Sequence, residues 1–396
     1  MDTQAKPGGW LARAVREAAP PAEGRRPRGP MMRYDGALIL SGSIGRGHDS
    51  VAEACRVALD GCGLGARTLD CMALLGGAGA RAGTEVFRRL ISVPAVYDGF
   101  HFSHLRTGSR LARGLDWAAR RRVVPAVASE LAAGRQLVVS VFPTGVGAAA
   151  QLKLARPGLT AVAVCTDASA HRMWVAEGTD LYVVCSPLAA ATLRRYDSAA
   201  TISVVPPPVR AEFFAALPRP VARARLGVPD GAPCVLLMAG GWGLGPLAEA
   251  AAGLLDRGYW VLAVAGSNER LHQRLRDLAR RRSRLVPFGT TDRVPELMAA
   301  ADGVVTTPGQ TCHEARVVGR WLVVLDVVPG HGRENALHEL ETGGALACSP
   351  DARSVAGAVG VMFDEQPELP PWPVVSADEW EKHFIGALAS AGVTPA

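Results

Sequence analysis

The sequence has no apolar run longer than the seven residues Tyr259 to Ala265, whereas a bilayer-crossing helix needs about 20. No membrane-spanning helix is expected. Its eight cysteines, at 55, 62, 71, 165, 185, 234, 312 and 348, include no C-x-x-C pair, so zinc-ribbon and thiol–disulfide exchange spacings are missing. Several of them sit inside apolar runs, and no signal-peptide pattern opens the chain. Reduced, buried thiols in a cytoplasmic protein are the expectation. His101 and His104 have no partner ligands nearby, and no metal site is expected there. Charged residues are only 20% of the chain against 48% hydrophobic ones. That balance excludes intrinsic disorder as the general state.

What is present is enough for two domains: 396 residues, at about 150 per domain. Lysine and arginine number 43 and aspartate and glutamate 37, a net charge of +6. Its distribution says more than its size. Residues 1–33 carry +4, residues 34–208 carry +5 and residues 209–396 carry −3. Within the middle segment, Arg81 to Arg122 holds nine arginines against three acidic residues. Charge alone does not choose between nucleic acid, an anionic membrane and an acidic small molecule as the partner of such a patch.

From Ala37 onward, short apolar runs alternate with segments of helical period, the pattern of a parallel sheet wrapped by helices. Predicted strands are 37–40, 137–142, 159–166, 181–185 and 201–205, then 234–239, 259–265, 285–288, 303–307 and 321–327. Between the two series lie Pro206, Pro207 and Pro208 and a turn-rich stretch through Pro233. The predicted organisation is a flexible basic tail (1–33), an α/β domain (34–208), a linker (209–233), a second α/β domain (234–375) and a terminal helix (376–396) that crosses back. Two such domains imply a cleft between them.

Four motifs can carry chemistry. Ser41-Gly-Ser-Ile-Gly45-Arg-Gly47-His48 follows the first strand and opens a helix with apolar Val51, Ala54, Cys55, Ala58 and Leu59 on one face. There His48 can take a proton from a bound hydroxyl, or it is a surface histidine on a tight turn. Gly240-Gly241-Trp242-Gly243-Leu244-Gly245-Pro246 again joins a strand to a helix, where glycines let backbone N–H groups approach an anion. No Gly-Lys-Ser/Thr follows it, so it is not a P-loop. Third, Pro308, Gly309, Gln310, Thr311 and Glu314 end a strand and start a helix, and Pro329, Gly330, His331, Gly332 and Asn335 follow the next strand. Both groups belong at the carboxyl ends of strands, facing one crevice. Glu314 can accept hydrogen bonds from a ribose diol, or it is a favourable charge at a helix start. Fourth, Thr166, Asp167, His171 and Trp174 close a strand of the first domain. Asp167 can orient His48, or it caps a helix.

In this order the motifs, with Pro208-Val209-Arg210 between them, resemble monogalactosyldiacylglycerol synthases and their bacterial relatives. More distantly they resemble the enzyme that adds N-acetylglucosamine to the peptidoglycan lipid intermediate. These are family-28 glycosyltransferases of the GT-B fold, and the resemblance covers roughly Asp35 to Arg353. It implies two Rossmann-like domains facing a central cleft, the second holding a UDP-sugar as co-substrate. Its diphosphate would lie at Gly240, Gly241, Gly243 and Gly245, its uracil at the backbone near Phe288 and its ribose at Glu314, with Pro308 to Thr311, His331 and Asn335 completing the donor side. The first domain would bind a lipid or polyprenyl-linked acceptor, with Gly45, Gly47, His171 and Trp174 on that side. His48, assisted by Asp167, would be the general base of an inverting displacement. No resident cofactor or metal is expected, since the sequence has no D-x-D motif.

Where the family carries Gln-Glu after the second Pro-Gly, this chain has His331-Gly332. That leaves galactose, glucose, N-acetylglucosamine and a uronic acid open as donor sugar, and His331 with Arg333 mildly favours an acidic sugar or another nonstandard donor. Arg88, Arg89, Arg106, Arg110, Arg113, Arg120, Arg121 and Arg122, beside Leu90, Ile91, Val93, Val96, Tyr97 and Phe100, fit a surface resting on anionic headgroups at the inner face of the plasma membrane. Nucleic acid is not an expected partner. A nucleotide-sugar epimerase and a catalytically silent nucleotide-sugar-binding protein are the alternatives.

Overall fold

A computed structural model describes residues 32–33, 36–43, 47–75, 94–132, 134–366, 369 and 375–394. The first sheet is built from β1 (Ala37–Ser41), β2 (Ala66–Asp70), β3 (Leu137–Ser140), β4 (Thr160–Cys165), β5 (Leu181–Val184) and β6 (Ile202–Val204), in the order β2-β1-β3-β4-β5-β6. The second contains β7 (Cys234–Met238), β8 (Trp260–Val264), β9 (Leu285–Phe288), β10 (Gly303–Thr306), β11 (Trp321–Leu325) and β12 (Ala345–Cys348), ordered β9-β8-β7-β10-β11-β12. Every pairing in both sheets is parallel. The architecture is the two-domain α/β arrangement of the GT-B fold.

The ten apolar runs all become strands: eight are interior, where cover by helices on both faces favours apolar side chains throughout, and two, β6 and β9, are edges. Of the four edge strands, β2, β6, β9 and β12, the pair β2 and β12 leaves no such run. In β2 the residues are intermediate or exposed, and Ala66-Arg-Thr-Leu-Asp carries polar side chains where one flank meets water.

Helix α1 (Gly47–Gly61) turns Val51, Ala52, Cys55, Ala58 and Leu59 into the first core. Further helices on the first sheet are α2 (Pro94–Phe100), continued by a π-helical turn His101–Leu105, then α3 (Arg110–Leu131) and α4 (Pro143–Ala155). Around the second sheet lie α5 (Leu247–Asp256), α6 (Gln310–Val317) and α7 (His331–Thr342). The terminal helix α8 (Ala377–Ser390) opens on a capping box between Ser376 and Glu379. Its Trp380, Phe384, Ala387 and Leu388 pack into the first domain's core, and Trp380 donates to the Pro206 carbonyl at 2.9 Å. All eight cysteines are free thiols.

Two expectations need correction. The stretch 209–233 is not a free linker: it forms helices Ala211–Phe214 and Arg219–Leu226. Val209, Phe213, Ala222 and Val228 from it are buried in the second domain's core. Of the tail, Met32–Arg33 pairs in parallel with Val393–Thr394, and the rest lies outside the described residues.

Candidate active site

The carboxyl ends of the strands meet across one cavity of about 960 Å³, lined from the first domain by His48, Asp167 and His171 and from the second by Gly240, Gly309 and Glu314. Gly47, Trp174, Gly241, Pro308, Gln310, Thr311, His331 and Asn335 also line it. Sequence positions from 47 to 380 are thus brought to one space, most of them by sheet topology.

His48 stands in the first turn of α1, and its Nδ1 lies 2.9 Å from the carbonyl oxygen of Val141. A carbonyl only accepts, so Nδ1 carries the hydrogen and Nε2 keeps the lone pair. Thr166 Oγ1 is 3.3 Å from the same nitrogen, and Phe142 meets the ring edge-on at 5.4 Å. Burial lowers the His48 pKa, opposed by the charges of Asp167 and Asp49 and by the Val141 hydrogen bond. The ring is a neutral base at pH 7.

The orienting role expected of Asp167 therefore falls to the Val141 carbonyl. Asp167 accepts instead from Trp174 Nε1 at 2.7 Å, with His171 Nε2 at 3.6 Å. Burial opposes its charge, yet the imidazoles of His331 and His171, the Trp174 N–H and His48 hold its pKa below the ordinary carboxylate value. His171 accepts at Nδ1 from the Met173 N–H (3.2 Å), which leaves its Nε2 hydrogen facing Asp167. Burial pushes the His171 pKa down to about 4.

The glycine loop of the opposite wall is backbone held mostly by backbone. The Gly240–Gly245 loop is tied to the next turn by Ser267 N donating to Gly241 O (2.9 Å) and Asn268 Nδ2 to Gly243 O (3.1 Å). Only glycine fits at Gly243: φ is +56°, and a Cβ would sit 2.2 Å from the Ala265 carbonyl oxygen. Gly243 and Gly245 support the loop from behind rather than facing the cavity. Pro246 caps α5, whose start follows the loop directly. On α6, Glu314 is buried and accepts from Arg210 Nη2 at 3.3 Å.

Several assignments move. The Phe288 carbonyl accepts from the Ala265 N–H (2.9 Å), and Thr290, Thr291 and Asp292, just beyond it in the chain, line the cavity. The side-chain oxygen of Asn335 accepts from Ala168 N across the cleft at 3.0 Å. His331 is not basic, because burial lowers its pKa, and Arg333 pairs with Asp98 and Asp326. The electrostatic case for an acidic sugar lapses with them. Gly45, Arg88 and Arg89 lie outside the described residues.

The basic stretch divides in two. Arg106 pairs with Glu334 and donates to Ser169, and Arg120 pairs with Asp116, whose pKa is raised by burial despite that partner. Tyr97 is buried at the domain boundary rather than exposed. Arg110, Arg113, Arg121 and Arg122 are exposed on α3 beside exposed Leu111, Leu115 and Trp117, with Arg121 over the Trp117 ring at 4.9 Å. Leu115 also lines the cavity, so the cavity opens onto that patch.

No protein-family model matches the chain. It is similar to the processive diacylglycerol beta-glucosyltransferase of Bacillus pumilus, 28% identical over 210 residues, 51% of this chain and 54% of that one. A probable chloroplastic monogalactosyldiacylglycerol synthase of Nicotiana tabacum is 31% identical over 171 residues, 39% of this chain and 31% of that one. The chain spans about half the length, or less, of these curated relatives. Among solved structures it resembles Os79 from O. sativa in complex with UDP (TM-score 0.57, 15% identity, 90% of this chain and 95% of that one). The sucrose-phosphate synthase of Thermosynechococcus elongatus is similar as well (TM-score 0.52, 16% identity, 90% and 96%). At those identities the likeness establishes the fold.

Proposed function

We propose that this protein transfers a sugar from a UDP-sugar to a hydroxyl of a lipid acceptor, with inversion at the anomeric carbon. The observation that carries this is the single cavity joining a fixed neutral base, His48, to a glycine-built anion loop and the buried carboxylate of Glu314. Similarity to enzymes named for diacylglycerol glucosylation and monogalactosyldiacylglycerol synthesis supports the acceptor class.

The acceptor hydroxyl approaches from the first domain. As its oxygen bonds to the anomeric carbon and the bond to the diphosphate breaks, its proton passes to Nε2 of His48. The Val141 carbonyl keeps that nitrogen unprotonated beforehand and steadies the imidazolium afterwards. Charge growing on the leaving diphosphate is met by backbone N–H groups of the glycine loop and the start of α5, so this route requires no metal ion. Glu314 holds the ribose diol. The exposed arginines and apolar side chains of α3 rest on an anionic membrane, and the acceptor enters past Leu115. Among the described residues no helix is long and apolar enough to cross a membrane, and peripheral attachment at the cytoplasmic face suits a water-soluble nucleotide donor.

Incubation with a panel of UDP-sugars and a lipid extract, followed by mass spectrometry, tests the proposal. New glycolipids that appear only with both substrates support it. Donor conversion without acceptor would mark an epimerase, and nucleotide binding without any turnover would mark a silent binding protein.

A further inference from the structure

The turn that opens α7 is seated on the other domain. Gly330 N donates to Asp98 Oδ1 at 2.7 Å, Arg333 reaches Asp98, and Glu334 is held by Arg106 and by His101 Nε2. The fit is steric too. Gly330 has φ of +62°, and a Cβ on it would lie 2.6 Å from Tyr97 Cε1 and 2.8 Å from His101 Cβ. Within this seat the Tyr97 hydroxyl lies 3.1 Å from Nδ1 of His331, and the two rings meet edge-on at 5.9 Å. Tyr97 is only 2% exposed, and both residues line the cavity.

We propose that Tyr97 is a positioning residue for donor-sugar recognition: its hydroxyl engages Nδ1 of His331, so that His331 meets a hydroxyl of the transferred sugar through Nε2 alone. The sugar subsite is then complete only when the two domains are closed on each other. An imidazole has two nitrogens that can exchange roles by ring flip or tautomerisation, and fixing one of them fixes the other. With the ring neutral and the Arg333 guanidinium spent on Asp98 and Asp326, the subsite selects an uncharged hexose over a uronic acid. The inference rests on the UDP-sugar reading of the cavity.

Calorimetric titration distinguishes the two. The wild type, Tyr97→Phe, His331→Ala and the double variant are titrated with UDP, UDP-glucose, UDP-galactose, UDP-N-acetylglucosamine and UDP-glucuronic acid, reading the ratio of UDP-sugar to UDP affinity. The wild-type ratio is highest for an uncharged hexose. Tyr97→Phe lowers that ratio about three- to tenfold, the worth of one hydrogen bond, and leaves UDP affinity unchanged. The double variant is no worse than His331→Ala, as residues acting in series require. A ratio unmoved by Tyr97→Phe, equal losses for UDP and UDP-sugar, additive losses in the double variant, or a preference for UDP-glucuronic acid overturns the inference while UDP binding preserves the donor reading. Failure of UDP to bind the wild type removes both.

Discussion

The two walls of the cleft are built from different materials. The first-domain wall presents imidazoles and a carboxylate, His48, His171 and Asp167, each held by named hydrogen-bond partners. On the second-domain wall the Gly240–Gly245 segment is a glycine loop backed by tied backbone, while the imidazoles of His313, His331 and His338 and the buried carboxylates of Glu314 and Glu339 line the remainder. The difference follows from the tasks. Moving a proton near neutral pH requires a titratable group with a fixed tautomer, whereas receiving a diphosphate requires N–H dipoles that stay in place and never titrate.

That contrast can be broken wall by wall. Replacing His48 by Ala should lower turnover by about 10²- to 10⁴-fold while calorimetric UDP affinity survives, and near-normal turnover would remove His48 from the chemistry. Glu314→Ala should act the other way, weakening UDP binding by roughly 10- to 100-fold, the scale of a charge-assisted hydrogen bond. Unchanged nucleotide affinity in that variant would refute the ribose assignment.

Acidity should strike the catalytic base of the first wall. Once pH falls below the lowered pKa of His48, kcat/KM should drop about tenfold per pH unit, and UDP affinity should follow this limb far less steeply. Stability follows the same sign. His171 in the unfolded chain takes up a proton near pH 6.5, whereas in the fold it resists until about 4. The unfolded state therefore binds more protons between those values, and stability declines as pH falls through that window. Thermal unfolding of His171→Gln from pH 7 to 4 should show a shallower decline than the wild type, and an equally steep one would contradict the burial argument. The smallest effect belongs outside the cleft. Trp117→Ala should weaken binding to anionic vesicles at low salt by about three- to tenfold, with solution UDP binding intact, and undiminished sedimentation with vesicles would clear α3 of that role.

Much of this was legible in the residues. Apolar runs marked the eight interior strands because burial on both faces leaves little freedom of composition, and they marked the edges β6 and β9 as well, while the edges β2 and β12, with polar or half-wet residues, left no trace. The glycine loops and His48 were legible because each follows an apolar strand directly, and parallel topology sends all such junctions to one side. The apolar and basic neighbours of Tyr97 read as a membrane-facing surface, yet its hydroxyl finds His331 across the domain boundary. Arg106 reads the same way, because its carboxylate partner, Glu334, is 228 positions away.

The sequence by itself determined that His48, the Gly240 loop and Glu314 reach the cleft, because each belongs to a motif that directly follows an apolar strand. Only the tertiary structure decided what those groups can do there. His48 is held by a carbonyl 93 positions away and a hydroxyl 118 away, and His331 by a hydroxyl 234 away. Periodicity records whether a residue is buried, but a tautomer is set by the one atom placed against it, and no local pattern names that atom.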